Sequence, residues 1–559
     1  MYFEPIHKDL VSLFQSSREK YHDRPLLGVK EDSAWRWLTY GEVGDLVDAF
    51  RGGLASLGVS RGDRVAVISN NRLEWAVGAQ AVYGLGAAYV PMYEAQRDDE
   101  WAHILVDSGA KVCLAANGSI RARVQRLAND LPALAHVVDF DGGADDPTSF
   151  RALAAKGAAA PAPLVTPAPA DLAGIFYTSG TTGSPKGVRL TQSNLAHNVA
   201  ATVTIAPYNE EDRTLSFLPW SHLFGGCTEL HGMILVGASL AICSAPEKLV
   251  AYLGEVRPTL LFAPPRVWNR LYDGARKKLA SDAKATLGEL RERFGGRLRF
   301  AISGAAALSA DVAAFIEGLG ITVLEGYGMT EAGSCATCCT VAKRKLGTVG
   351  PPLPGVLIAI DKTVEGTGGN DGEVIIYGHG VMEGYHGLPD ETAKTKTPDG
   401  GIRSGDLGRL DEDGFLVITG RVKELYKLEN GRYVAPAPLE EKITLSPYIA
   451  QAMLHGSGRP HNVALLVADT AAIGAWAKEN GVPEGALLAR PEVRSLIASE
   501  LDTYCKDFRP YERPQDFLLI DEPFTTQADM LTPTLKLKRR NVMKRYGGAL
   551  EALYGEGGR

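Results

Sequence analysis

The stretch "LAGIFYTSGTTGSPKGVRLT", residues 172–191, decides how this chain is read. Its first apolar run, "LAGIFYTS", has the character of a buried strand, and "GVRLT" begins a second, so the glycine-rich segment between them crosses from strand to strand and does not open a helix. Glycines let backbone amides approach an anion closely, the hydroxyls of Ser179, Thr181, Thr182 and Ser184 add donors, and Lys186 adds a point charge. Phosphate is the natural guest of such a segment. The spacing departs from G-x-x-x-x-G-K-[ST], because Lys186 stands between Pro185 and Gly187, and this excludes the ordinary P-loop NTPase. Taken alone, a segment of this composition more often marks a plain turn.

The surrounding sequence narrows the choice. Short Val/Ile-rich runs alternate with helical patterns, as where "DRVAVISNN" is followed by "RLEWAVGAQAVYGLG", which argues for α/β units with parallel sheets. At 559 residues the chain is too long for one core, and at least two domains are expected. The segment "ALAAKGAAAPAPLVTPAPA", residues 152–170, reads as a linker or surface excursion. With 45% apolar and 22% charged residues and a net charge of −7, the composition is that of an ordinary globular protein, and nothing favours nucleic acid as a partner. Seven cysteines in so long a chain fit a reducing compartment, with the cytoplasm as default. The N-terminal "MYFEPIHKDLVSLFQSS" lacks the apolar core and cleavage site of a secretory signal. The longest apolar stretch, "GMILVGASLAIC" over 232–243, is shorter than the ~20 residues of a membrane-spanning helix, so no transmembrane segment is predicted and peripheral membrane contact stays open.

Further motifs follow in order: "LPWSHLFGG" from Leu218, "SGAAAL" from Ser303, "EGYGMTE" from Glu325, "RSGDLG" from Arg403, "GRVKELYKLENGRYVAP" from Gly420 and "LTPTLKLKRR" from Leu531. Together with the opening segment they resemble the signatures of the adenylate-forming superfamily, which includes acyl-CoA synthetases, luciferases and the adenylation domains of peptide synthetases. The resemblance runs from about residue 30 to the C-terminus. Within that superfamily "FAPPRVWNRLYDG", "YKLENGRYVAPAPLEE" and "LTPTLKLKRR" look most like the long-chain fatty acyl-CoA synthetase branch. Amino-acid adenylation domains place an aspartate in the segment matching "SHLFGG"; His222, Leu223 and Phe224 stand here, which disfavours an amino-acid substrate.

The resemblance implies an α/β fold. A large, multi-subdomain N-terminal domain with parallel sheets and a small barrel-like β subdomain would run over residues 1–421. A smaller, mobile α+β domain would cover 422–559. It also implies two half-reactions, in which a carboxylate attacks the α-phosphate of ATP to give an acyl-adenylate and pyrophosphate, and a thiol then takes the acyl group. By this resemblance Thr178, Ser179, Gly180, Thr181, Thr182, Gly183 and Lys186 hold the ATP phosphates. Thr181 and Glu331 stand close to Mg²⁺, for which a hydroxyl and a carboxylate are suitable oxygen ligands. Glu325, Gly326, Tyr327, Gly328, Met329 and Thr330 form the adenine motif, with Tyr327 offering a flat face and Gly304 and Ala305 on the other side of the base. Asp406 accepts from the ribose hydroxyls, and Arg421 supports that region.

Lys423 matches the hinge on which the smaller domain turns. Lys536 matches the lysine that reaches the α-phosphate, with Leu535 before it where many relatives have glycine. Lys427 lies in the stretch that faces the site during thioester formation. Lys538 reads as part of a solvated basic face. His222 is expected at the mouth of the acyl pocket, and Phe224, Gly225 and Gly226 leave room there for an alkyl chain. Cys335, Cys338 and Cys339 in "CATCC" lack a second ligand pair at finger spacing and read as small residues lining or supporting that pocket.

The implied activity is activation of a medium- or long-chain fatty acid with ATP, Mg²⁺ and CoA. Three alternatives stay open: an acyl carrier protein as acceptor, an aryl or branched acid as substrate, and a catalytically silent adenylate-binding protein.

Overall fold

The computed structural model describes residues 3–127, 130–178, 184–206, 208–281, 287–304, 306, 308–483, 485–532 and 536–555. The chain forms two compact units. The first comprises Met1–Ala359, Ile375–Ser404 and Glu412–Leu416, the second Ile360–Val374, Gly405–Asp411 and Val417–Arg559.

Two mainly parallel sheets organise the first unit. One has seven strands in the order Gly384–Tyr385, Lys186–Thr191, Leu172–Thr178, Ala88–Met92, Arg64–Ile68, Val112–Ala115 and His136–Asp139. Its interior strand Arg64–Ile68 carries Val65, Ala66, Val67 and Ile68, all fully buried, as expected of a sheet covered on both faces. The strand Arg64–Ile68 and the helix Leu73–Tyr83 that follows it reproduce the alternation predicted for "DRVAVISNN" and its successor. The other sheet has eight strands, with Thr322–Tyr327, Phe300–Ser303 and Leu260–Ala263 side by side and parallel.

The Ala/Pro-rich segment differs from its predicted role. Its first part belongs to the helix Phe150–Ala159, capped by the Ser149 hydroxyl, and the extended course of a linker begins only after it. This helix packs against the helix Tyr40–Ser56 so closely that a Cβ on Gly157 would stand 1.9 Å from the Ala49 carbonyl oxygen. Alanine is the best helix former, and glycine at the crossing permits the backbone approach, so a composition that resembles a spacer serves as a packing surface. The apolar stretch 232–243 breaks at Gly237, which has φ +79°, into the helix Gly232–Val236 and the strand Ser239–Ile242. Among the described residues no helix is long and apolar enough to cross a membrane.

The second unit is α+β. Its strands Ile449–His455, Asn462–Ala468 and Pro514–Ile520 form one sheet, antiparallel at the first pair and parallel at the second. The period of two along the central strand builds two cores. Ala464 and Leu466 face Leu439, Ile473, Val493 and Ile497, whereas Val463, Leu465 and Val467 face Val542 and Leu550 of the helix Arg539–Ala552.

Candidate functional site

In the opening stretch the strand Leu172–Thr178 runs antiparallel to Lys186–Thr191, with Thr178 opposite Lys186. Ser179, Gly180, Thr181, Thr182 and Gly183 lie outside the described residues, as does Ala305. Lys186 extends its ammonium to Glu391 Oε2 at 2.5 Å and stands 5.3 Å from the centre of the Tyr385 ring. Lys186 first, and then Lys394, hold the Glu391 carboxyl down at about 2. Tyr385 sits on the short strand Gly384–Tyr385, paired antiparallel with Val188, so its position follows from the sheet. Its hydroxyl donates to Glu331 Oε1 at 2.9 Å. Burial, reinforced by that carboxylate, pushes the Tyr385 phenol up and keeps it a donor.

Glu331 lies in the turn Thr330–Ala332 and is only 8% exposed; its carbonyl accepts from the Met382 amide at 2.9 Å. The strand Thr322–Tyr327 brings the candidate adenine motif to the same end of the sheet as Ser303 and Gly304, with Ser303 opposite Glu325. Burial raises the Glu325 carboxyl to about 7, and this carboxyl accepts from the Leu308 amide at 3.2 Å. Gly326 and Tyr327 pair with Cys338 and Thr337. At Gly328 the backbone is so close to Ser334 that a Cβ would lie 1.7 Å from its carbonyl oxygen, and this accounts for glycine there. Met329 and Thr330, both half-buried, lead into the Glu331 turn. Gly304 meets the Phe224 ring, 3.2 Å from where its Cβ would be, so the candidate adenine-side glycine and the candidate acyl pocket adjoin. Ser303 Oγ is buried with no hydrogen-bond partner among the described residues, which leaves a hydroxyl available beside Gly304.

His222 is half-buried and accepts from the Phe224 amide through Nδ1 at 3.3 Å. The segment before it is fastened by Asn71, whose side chain donates to the Leu218 carbonyl and accepts from the Trp220 amide. Phe224–His231 then winds as a π-helix, a rare form concentrated at functional sites. A Cβ on Gly225 would meet the Leu218 and Pro219 carbonyl oxygens, and one on Gly226 the Trp220 carbonyl oxygen, so both glycines let the helix lie against the preceding segment.

Glu229 and His231, which the motifs do not mark, are buried in the same helix. Burial raises Glu229 to about 8 and lowers His231 to about 4. The Thr214 and Ser216 hydroxyls hydrogen-bond to Glu229 at 2.7 and 2.9 Å. The sulfurs of Cys338 and Cys335 would lie 3.4 and 3.5 Å from a Cβ on Gly326, so this part of "CATCC" packs beside the candidate adenine motif. Among the described residues no group of three or more His, Cys, Asp or Glu side chains is arranged to hold a metal. A single buried carboxylate such as Glu331 suits Mg²⁺, which keeps much of its water and takes one or two carboxylates alongside substrate phosphates.

In the second unit Arg421 Nε donates to Asp406 Oδ1 at 2.7 Å, and Asp406 is 9% exposed. The carboxylate is buried, whereas the Arg421 side chain is 37% exposed. Lys423 is exposed in the short helix Val422–Glu424. Lys427 is exposed on the hairpin Tyr426–Lys427/Tyr433–Val434, its ammonium 5.3 Å from the Tyr433 ring centre. Lys536 is exposed, and its amide donates to Thr532 Oγ1 at 3.0 Å. Lys538 departs from the solvated face predicted for it: its side chain is 16% exposed and bonds Asp529 at 2.5 Å. Arg539 beside it forks onto Glu440, with Nη1 donating to Oε1 at 2.6 Å. A run of cations in sequence is thus divided by the fold: Lys536 is exposed, Lys538 meets Asp529 and Arg539 meets Glu440.

Comparison with known proteins adds an independent line. Residues 14–386 match the family model described as AMP-binding enzyme, and residues 424–487 the model of the AMP-binding enzyme C-terminal domain. The chain is 32% identical to the long-chain-fatty-acid–CoA ligase FadD15 of Mycobacterium bovis, across 94% of this chain and 93% of that protein. It is 29% identical to the peroxisomal long chain acyl-CoA synthetase 7 of Arabidopsis thaliana, across 99% of this chain and 87% of the relative. Among solved structures, the adenylation domain of a carboxylate reductase from Mycobacterium chelonae superposes with a TM-score of 0.84 at 25% identity, covering 99% of this chain and 92% of that one.

Proposed function

The chain belongs to the AMP-binding enzymes, and from that premise we propose that it is an ATP-dependent, AMP-forming acid–thiol ligase acting on medium- or long-chain fatty acids. The observation that carries this reading is the convergence on Tyr385 of Lys186 and Glu331, a cation and a carboxylate beside a segment rich in phosphate-binding donors. In the first half-reaction a fatty-acid carboxylate oxygen attacks the α-phosphorus of ATP and the bond to pyrophosphate breaks. In the second, a thiolate attacks the acyl carbon and AMP leaves. Both steps depend on neutralising phosphate charge and aligning the reactants.

Residues 178–187 cradle the phosphates, Lys186 supplying a cation and Thr181 a hydroxyl. Glu331 and Thr181 would hold Mg²⁺, which when bound neutralises phosphate charge. The adenine lies against Tyr327, between the motif 325–330 and Gly304–Ala305, and Asp406 accepts from the ribose hydroxyls with Arg421 holding its carboxylate. His222 stands at the mouth of an acyl pocket bordered by Phe224, Gly225 and Gly226. The C-terminal domain, residues 422–559, turns about Lys423, exchanging Lys536, which reaches the α-phosphate, for the Lys427 stretch. CoA is the thiol acceptor. A second reading, transfer to a carrier-protein arm, is motivated by the likeness to a carboxylate reductase adenylation domain.

The test is AMP release from ATP and Mg²⁺ with straight-chain acids of increasing length, with and without CoA. Sustained AMP release that requires both acid and CoA supports the ligase. A single-turnover burst that CoA does not relieve favours the carrier arm, and no AMP with any acid rejects both.

A further inference from the structure

Tyr385 lies between Glu331 and Lys186. Its hydroxyl donates to Glu331 Oε1 at 2.9 Å, and its ring carries the Lys186 ammonium 5.3 Å from its centre. Three backbone features fix the ring in that place. The strand Gly384–Tyr385 pairs with Val188 and Arg189, the His386 amide donates to the Gly187 carbonyl at 2.7 Å, and the Tyr385 amide donates to Thr392 Oγ1 at 2.9 Å. Thr392 lies one residue beyond Glu391 on the helix Pro389–Thr395, so the groups holding the tyrosine and the lysine share one short element.

We infer that Tyr385 is a positioning residue: its hydroxyl orients the Glu331 carboxylate for the metal of the metal–nucleotide substrate, while its ring carries Lys186 beside the phosphate segment. The inference rests on reading residues 178–187 as the phosphate site. Glu331 is almost wholly removed from water, and a buried carboxylate turns to whichever donor holds it. The Tyr385 hydroxyl is such a donor, bonded to the carboxylate through Oε1 alone, and its acidic partner keeps the second oxygen for a cation. The hydroxyl therefore acts through Glu331 and the metal. Glu391, by contrast, places a negative charge against Lys186 where an incoming phosphate would stand.

The test separates these terms by ATP binding, with no fatty acid present and hence no turnover. Calorimetry gives the Kd of the full chain for ATP with Mg²⁺ and for ATP in EDTA. Tyr385→Phe, which keeps the ring, is expected to weaken Mg²⁺–ATP binding by about tenfold, the scale of a hydrogen bond to a charged group, and to leave metal-free ATP binding unchanged. Glu391→Gln is expected to tighten binding a few-fold under both conditions, because it removes a charge that repels phosphate.

Equal weakening of both forms in Tyr385→Phe, or no change in either, would overturn the role. If Tyr385→Phe fails to fold because it leaves a buried carboxylate without its donor, Glu331→Gln/Tyr385→Phe removes that carboxylate and is compared with Glu331→Gln alone. Matching Mg²⁺ dependence in those two variants supports the inference, and a further loss in the double variant rejects it. Failure of the wild-type chain to bind ATP in either condition would instead remove the functional reading on which the inference stands.

Discussion

The group proposed to face the phosphates in the first unit and the lysines proposed to exchange in the second are built on opposite physical plans. Glu331 is 8% exposed, bonded to Tyr385 and set in a turn whose neighbours are fixed by sheet register. Lys423, Lys427 and Lys536 are exposed, on short turns and a two-residue hairpin strand. Groups that hold a ligand in place benefit from burial, because low polarity strengthens each interaction and rigid surroundings remove the need to reorganise. Groups that must approach and leave gain from exposure, since a charge taken out of water at each transit would have to be desolvated. The difference separates residues whose loss should damage structure from those whose loss should damage only a step.

The largest expected effect tests the exposed side of that division. Lys536→Ala should lower adenylation by about 100- to 1,000-fold, the scale of losing a charge-stabilising group in the transition state. Pyrophosphate exchange would show this loss, while thioester formation from supplied acyl-adenylate and the Tm both stay near wild type. Full adenylation by that variant would remove Lys536 from its role.

Gly328→Ala tests the buried side. A Cβ there would lie 1.7 Å from the Ser334 carbonyl oxygen, so the backbone must shift, at a cost of about 1–3 kcal/mol. Thermal unfolding should move to lower temperature, and nucleotide affinity should fall with it. An unchanged Tm would show the motif to be less rigid than its packing implies.

Lys427→Ala should give the reverse kinetic split from Lys536→Ala, a fall of about tenfold in thioester formation with adenylation intact, on the ordinary scale of a lost charged hydrogen bond. Equal losses in both half-reactions would merge the two lysines into one role.

The smallest effect is a slope. Glu229 has its carboxyl raised from 4.5 to about 8 by burial, so the folded chain keeps a proton there that the unfolded chain releases. Its contribution to stability is complete below pH 4.5 and is lost as pH rises through 8. Glu229→Gln does not titrate, and its stability should vary less across that window by up to one proton per molecule. Denaturant unfolding at pH 5, 6, 7 and 8 measures this, and parallel curves for both proteins would contradict it.

Much of the fold was legible because its signals are local. The strand at Arg64–Ile68 and the helix after it follow from apolar periodicity within a few residues of each position. The reading of two strands within residues 172–191 rested on two apolar runs, and the antiparallel pairing bears it out. Local composition misled where it was ambiguous. Alanine with proline reads as a spacer, yet the Ala/Gly half is a packed helix because small side chains permit close approach. Lys538 read as solvated because its neighbours in sequence are cations, while its partner Asp529 comes from the preceding turn. Tyr385, Glu391 and Glu229 carried no motif signal, since each takes its meaning from a partner elsewhere in the chain.

The sequence by itself determined the alternation of strands and helices, the order of the nucleotide motifs and the absence of ordinary P-loop spacing, all properties of residues close together along the chain. Only the tertiary structure decided that Lys186 meets Glu391, that Tyr385 holds Glu331, and that Gly304 rests on Phe224. The physical reason is range. Periodicity and turn chemistry act over a few residues, whereas a buried charge finds its partner only after sheets and helices have brought distant segments within a few ångströms.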